Sequence, residues 1–256
     1  MRPSESGWKL ASKGFVFLAP PDAPIAAFDR TIEDPTGYSR LLGDAQRLRG
    51  RVYVEDGAIE RQDLTGDGRH IQEADSRSWH LLEVDEYQRV TACLRYFPHS
   101  PGTSFQELSI SHTGLAQSSA FRSEVRDAVE AELEFAAQRG LDYFEIGGWA
   151  ISEEFRGTCD ALRMVLCVYA LAQLGGGALG LSTATTRHHS SSILKRIGAR
   201  PLMGCGEAIR PYYDPQYGCE MELLSFDSSP GCFWQAARIL CSGSNVPRTP
   251  RDKSWH

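Results

Sequence analysis

Residues 143–161 read YFEIGGWAISEEFRGTCDA. The first nine, Tyr143 to Ile151, predict a strand because aromatic and β-branched residues dominate them. Gly147 and Gly148 interrupt it, and glycines inside a strand mark a bulge. Two of them cost stability unless a ligand uses the space they leave. The strand runs into Glu-Glu-Phe-Arg-Gly and then a segment from about Thr158 to Leu174 that is apolar almost all round, hence a buried helix. Gly157 lets the backbone approach a ligand closely, and the first N–H groups of a helix form an anion site backed by the helix dipole. Arg156 adds a charge to this phosphate-type site, and Asp160 would repel phosphate there. An ordinary helix cap at Thr158 is the plainer reading of the same residues.

Downstream, the buried helix ends in Gly175-Gly176-Gly177. Gly175, Gly177 and Gly180 spell GxGxxG, but the motif closes a helix and enters a strand, the reverse of the dinucleotide fingerprint. Ala178 to Thr183 follows as a strand, Ser190 to Ile197 as a short helix stopped by Gly198, and Glu220 to Phe226 as a strand. Upstream, Ser119 to Gly140 predicts a helix with Phe121, Val125, Ala128, Val129, Leu133 and Ala136 on one stripe, capped by Ser118 or Ser119 and ended by Gly140. Trp79 to Val84 and Val90 to Phe97 predict two strands joined by a turn at 85–88, and Phe105 to Ile110 a third strand. A helix is expected over Tyr38 to Val54, weakened at Gly50. Phe15 to Leu18 is a short strand in a Pro-rich opening stretch.

Strands first, then strand-helix-strand-helix-strand, give an α+β fold, a mixed sheet with helices on both faces. The expected division is an N-terminal extension over 1–37, a main domain over 38–227, and a C-terminal segment over 228–256 ending in a disordered basic tail. The chain has 256 residues, 41% of them apolar, enough for one sizeable core. Its 33 acidic against 27 basic residues leave a net charge of −6, which argues against a nucleic-acid partner. Seven cysteines without a CxxC pair suggest reduced thiols rather than a disulfide framework or zinc ribbon. The longest apolar run, Met164 to Ala172, is nine residues, where a membrane span takes about 20. No targeting segment is visible, so a cytoplasmic location is expected.

Glu145, between Phe144 and Ile146, is a candidate general base; a structural pairing with backbone or an Arg is its other reading. A backbone N–H freed by the bulge near Gly148 to Ile151 is the candidate donor to a developing oxyanion. Arg187-His188-His189-Ser190 lies before a short helix. Ser190 is the expected cap, and Arg187 or His189 the group lining a cleft; adjacent histidines make a poor metal site, and none is expected. Cys159 at a helix start is a weaker candidate nucleophile without a paired base. Arg49 and Arg95 suit a substrate or partner carboxylate, or equally a structural ion pair.

The order of these pieces resembles the GCN5-related N-acetyltransferase (GNAT) superfamily over roughly residues 38–227: a strand with Glu, then EEFRG, a buried helix, a strand, and a short helix ending ILKRIGA. That family holds the phosphate arm of an acyl thioester on an (R/Q)xxGx(G/A) loop. The matching stretch here is Arg156, Gly157, Thr158, Cys159, Asp160 and Ala161, with Cys159 where the family has Gly. The resemblance adds Trp149, Ala150 and Ile151 as residues facing the thioester, and Arg187 beside it. Arg49, Tyr53, Asp75, Arg95 and Glu145 occur in an order that resembles the acyl-homoserine-lactone synthases and the long-chain N-acyl amino acid synthases, with the first four as substrate-binding residues. The lactone synthases' ExxR reads Glu145-Ile146-Gly147-Gly148 here, which turns the resemblance toward amino acid N-acylation.

The Tyr that family members offer to the leaving thiolate is Leu194; Tyr212, Tyr213 and Tyr217 are candidate substitutes or simple loop packing. The implied activity is acyl transfer from acyl-CoA or acyl-acyl carrier protein to an amino acid or small amine. No permanently bound cofactor is implied. The rivals are an acetyl-CoA-dependent small-molecule N-acetyltransferase and a non-catalytic acyl-ligand-binding module.

Overall fold

The computed structural model describes residues 12–21, 23, 28, 32–187, 190–215 and 217–229. Its elements are β1 (Gly14–Leu18), α1 (Pro35–Glu55), β2 (Trp79–Val84), β3 (Val90–His99), α2 (Gly114–Gln117), α3 (Arg122–Gln138), β4 (Asp142–Ile151), α4 (Asp160–Leu174), β5 (Ala178–Thr185), α5 (Ser190–Arg196), the short strands β6 (Arg200–Pro201), β7 (Met203–Gly204), β8 (Glu207–Ala208) and β9 (Tyr212–Asp214), and β10 (Cys219–Asp227). One mixed sheet runs β1-β2-β3-β4-β5-β10-β6, with β9 also on β10. The β4–β5 pair is parallel and the remaining pairs are antiparallel. β1, in the stretch expected as an extension, pairs along its whole length with β2 and buries Phe15 and Leu18.

Alternation along the central strands sends side chains to two faces. Leu94, Tyr96, Phe144 and Ile146 meet α4, which contributes Met164, Val165 and Val168. The opposite face carries two cores. α1 packs Leu41, Ala45, Leu48 and Val52 over Leu82 and Cys93, while α3 packs Val125 and Val129 over Tyr143, Leu181 and Leu223. Arg95, Glu145 and Gly147 face the gap between these cores, as period-2 alternation requires.

Several expectations are corrected. α1 starts at Pro35, with Asp34 accepting from the Gly37 N–H at 2.8 Å. It passes Gly50 unbroken, because a Cβ there would lie 2.7 Å from the Gly68 carbonyl oxygen that crosses the helix. Phe105 to Ile110 is not a strand but parts of two 3-10 turns, Phe105–Glu107 and Ser109–His112. The N–H groups that a ladder would have used go to a carboxylate, described below. α3 begins after Phe121 without a side-chain cap, so Ser118 and Ser119 do not serve that role. Gly140 ends α3 at φ 64°, as its position suggested. The expected basic tail lies outside the described residues.

Gly180 needs no phosphate to explain it. A Cβ at that position would sit 2.3 Å from ring carbons of Phe144 on the neighbouring strand. Gly180→Ala is therefore expected to lower stability by about 1–3 kcal/mol through overpacking, read as a shifted urea midpoint. An unshifted midpoint would mean that the Phe144 ring yields freely.

Candidate active site

The site begins where β4 leaves its neighbours. β4 and β5 pair from Asp142↔Ala178 to Glu145↔Leu181 and no further, although β4 runs to Ile151 and β5 to Thr185. The two strands therefore splay beyond Glu145, leaving facing backbone groups unladdered in the middle of a sheet. On the other edge of β4, Cys93 faces Ala150 while Arg95 faces Gly147, so Gly148 and Trp149 together oppose Leu94. This is the bulge that the glycine pair predicted, with Gly148 at φ 62°.

Side chains of this protein use the space the glycines leave, which corrects the expectation that a ligand does. A Cβ on Gly148 would lie 2.9 Å from Arg49 Nη1, and one on Gly147 would lie 3.2 Å from Arg95 Nη2. Both arginines converge on Asp75. Arg49 Nη2 donates to Asp75 Oδ2 at 2.7 Å, and Arg95 Nη1 donates to Oδ1 at 3.0 Å. Gln46 Nε2 and the Gln72 N–H complete the carboxylate. Burial alone would raise the Asp75 pKa, but the bonds and charge of Arg49, with Arg95 behind them, hold it well below the usual carboxylate range. Burial likewise works against charge on Arg49, and Asp75 more than restores it.

Two guanidiniums against one carboxylate leave one net positive charge buried beside the bulge. Arg49 Nε, Arg95 Nε, His70 Nδ1 and Trp149 Nε1 are buried polar atoms without a hydrogen-bond partner. Arg49 also donates to the His70 carbonyl, and the Tyr53 ring lies 5.6 Å from the His70 ring. Orphaned polar atoms are rare in protein interiors; the Arg49 and Arg95 Nε atoms lie beside the Gly147–Gly148 bulge, while the Trp149 indole packs against the α4 core on the other face. Tyr53 and Tyr217 stand near this charge. Burial, then each other's neighbourhood for Tyr53 and Asp214 for Tyr217, pushes both phenols up, while Arg49 and Arg95 pull the other way.

Glu145 sits at the vertex of the splay. Its carboxylate accepts from His99 Nε2 at 2.9 Å, the Ser109 N–H at 2.8 Å and the Ile110 N–H at 3.0 Å. Burial would raise its pKa, but the His99 bond and the two backbone N–H groups outweigh it and lower it. Glu145 is thus ionised at neutral pH and anchors the turn over 105–112. Oε2 carries two of these donors and Oε1 one, so Oε1 retains a lone pair for a further proton donor.

The loop after β4 holds a 3-10 turn, Glu153–Phe155, then Arg156 and Gly157 at φ 80°. The N-cap of α4 is Cys159, with no side-chain cap, rather than Thr158. Thr158 Oγ1 instead accepts from the Asp160 N–H and donates to Asp160 Oδ2. The N–H groups of the first turn have no partner within the helix, as at any helix start. Asp160 is buried and turned inward onto Lys13, at 2.8 Å, with Arg163 Nη1 at 3.6 Å. The expectation that Asp160 opposes a phosphate on the loop is corrected by these pairings. Ala161 is buried at the next position.

Arg156 and Arg187 meet at one residue. Arg156 Nη2 lies 3.5 Å from Asp56 Oδ1, and Arg187 Nη1 donates to the Asp56 carbonyl at 3.1 Å. Arg187 also donates to the Gly218 carbonyl. The end of α1, the loop before α4, the end of β5 and the turn before β10 are thereby tied together beside the splay. Leu194 is fully buried in the α4 core, so α5 offers no hydroxyl there. Tyr212 is buried with an unpartnered hydroxyl, and Tyr213 is exposed. Cys159 is exposed and free. His188 and His189 lie outside the described residues, and Ser190 is the first residue of α5 rather than a resolved cap. Among the described residues no three His, Cys, Asp or Glu side chains gather as a metal site, and no helix is long and apolar enough to cross a membrane.

Sequence spacing offered no signal for Lys13, Gln46, Asp56, His99 or Gln72, because each reaches the site only through the fold. The sequence matches no family model and no curated protein. Solved structures do match it. A CoA-dependent acyl-homoserine lactone synthase, BjaI, with SAM and isopentyl-CoA, superposes with a TM-score of 0.57 at 17% identity, covering 93% of this chain and 95% of that one. The chain has the GNAT fold. Within that fold, FeeM, an N-acyl amino acid synthase from uncultured soil microbes, matches with a TM-score of 0.51 at 10% identity over 91% of this chain and 99% of that one. TofI, in a ternary complex with an inhibitor and MTA, matches with a TM-score of 0.51 at 15% identity over 89% and 100%. At these identities the fold is what is shared.

Proposed function

We propose that the protein is an N-acyltransferase that moves an acyl group from a phosphopantetheine thioester to the amine of an amino acid or small amine. The carrying observation is the splay of β4 from β5 beyond Glu145, opening next to the Gly157 loop and the start of α4. Unladdered backbone in mid-sheet pairs with an extended arm that itself carries amides, and a pantetheine arm does. Arg156 and the free N–H groups around Gly157 to Ala161 take its phosphate, and the N–H groups of Trp149 and Ile151, which alternation turns away from β3, take the arm and the thioester oxygen. Arg187 frames the far side. The donor is acyl-CoA or acyl-acyl carrier protein; the loop reads the phosphopantetheine common to both.

The acceptor lies on the opposite face, against Arg49, Tyr53, Asp75 and Arg95. Their one net positive charge and unpartnered Nε atoms favour an acceptor that carries a carboxylate, hence an amino acid. Attack by the amine on the thioester carbon forms the C–N bond and breaks the C–S bond. The ammonium's proton leaves toward Glu145 Oε1, directly or by one water. The thiolate takes a proton from solvent or from Tyr217, a phenol near the charged cluster. Titrating free thiol after mixing acyl-CoA with an amino acid pool tests this. Amine-dependent thiol release is expected, and acyl-CoA binding without release would leave a ligand-binding module instead.

A further inference from the structure

We propose that Lys13 is a positioning residue for the donor phosphate: it neutralises two acids behind the loop that would otherwise expel the anion. This rests on the reading of that loop as the phosphate site. The difficulty it answers is on the page. α4 begins with Asp160, and an acid at a helix N-terminus competes with any anion bound there. A second acid, Glu83 of β2, is 1% exposed and also faces this point.

One ammonium serves both. Lys13 Nζ lies 2.8 Å from Asp160 Oδ2 and 3.1 Å from Glu83 Oε1. It also stands 4.5 Å above the ring of Phe155, the last residue of the turn before Arg156. Lys13 therefore touches β2, the turn leading into the loop, and the first residue of α4 at once. Arg163, 3.6 Å from Asp160 Oδ1, supplies the other cation of the group. With both acids ionised, two acids and two cations cancel; burial and Asp160 push the Glu83 pKa up and Lys13 opposes that, so without Lys13 the acid pair behind the loop loses its shared counter-ion. Lys13 touches no reacting atom, and it acts through Asp160 and Phe155.

Calorimetric titration of the full chain with CoA and with pantetheine, the same arm without phosphate, tests this. Lys13→Met is expected to weaken CoA binding about tenfold and to leave pantetheine binding unchanged. Lys13→Arg should keep the wild-type value, and Lys13→Met combined with Asp160→Asn should restore CoA binding to within about twofold, because the repelling charge is gone. Unchanged CoA binding in Lys13→Met overturns the proposal. So does an equal loss for pantetheine, which marks a loop merely misplaced. A wild-type chain that binds neither compound overturns the donor reading itself, and the two failures are thus distinct.

Discussion

Replacing Asp75 by Asn is expected to lower folding stability by about 3–5 kcal/mol, the usual cost of leaving buried charges uncompensated. Asp75 holds Arg49 at 2.7 Å and Arg95 at 3.0 Å, and all three residues are buried. An Asn side chain keeps the shape but loses the charge, so two guanidiniums face each other beside Gly148 with only a neutral amide between them. The arginines have nowhere to retreat, because Leu48 and Val52 of α1 and Cys93 of β3 pack the same side. Urea unfolding followed by circular dichroism measures the loss, and a loss under about 1 kcal/mol would show that solvent already screens the pair.

The same carboxylate sets an acid limb. Its folded pKa is depressed, as is that of Glu145, so both contribute stability that is present above the ordinary carboxylate value of about 4 and is lost as pH falls through the folded values. Stability of the wild type should therefore fall from about pH 4 downward, and less steeply in the Asp75→Asn variant.

The second large effect concerns Glu145. Glu145→Gln is expected to reduce kcat by about 10²-fold, the ordinary scale for a lost proton acceptor. It is also expected to cost about 1.5–3 kcal/mol of stability, since a carboxylate that accepts from His99, Ser109 and Ile110 becomes an amide with one accepting oxygen. The two effects separate by pH. If Glu145 is the base, the wild-type acid limb in kcat/KM lies lower than an ordinary glutamate would place it, because the group's pKa is lowered. Glu145→Gln should lose that limb while remaining folded at the assay temperature. A folded variant with full kcat removes Glu145 from the proton path and leaves it the anchor of the 105–112 turn alone.

Much of this fold was legible in the chain because its strong signals are periodic. The buried helix after EEFRG and the alternating strands on either side of it follow from side-chain pattern, and the bulge follows from Gly147-Gly148. The 105–110 stretch was misread for a physical reason. A 3-10 turn has no hydrophobic period of its own, and Phe105, Leu108 and Ile110 imitate a strand's apolar content. What decides the conformation is Glu145, 35 residues ahead of Ile110, taking the backbone donors a ladder needs.

The glycines of β4 were legible as a bulge but not as room for Arg49 and Arg95, whose chain positions lie 52 to 99 residues away. Lys13 was invisible for the same reason. It meets Asp160 across 147 residues, and nothing local in its own segment announces a partner. The arginines, by contrast, stand out in the sequence, because their order along the chain carries a resemblance that single residues lack, and the structure pairs both with Asp75.

The most direct test of acyl transfer is mass spectrometry of the product. Purified protein incubated with an acyl-CoA or acyl-acyl carrier protein and an isotope-labelled amino acid mixture should yield an N-acyl amino acid carrying the label, together with one free thiol per product. Recovery of intact thioester, or of free fatty acid without any labelled amide, would contradict N-acyl transfer.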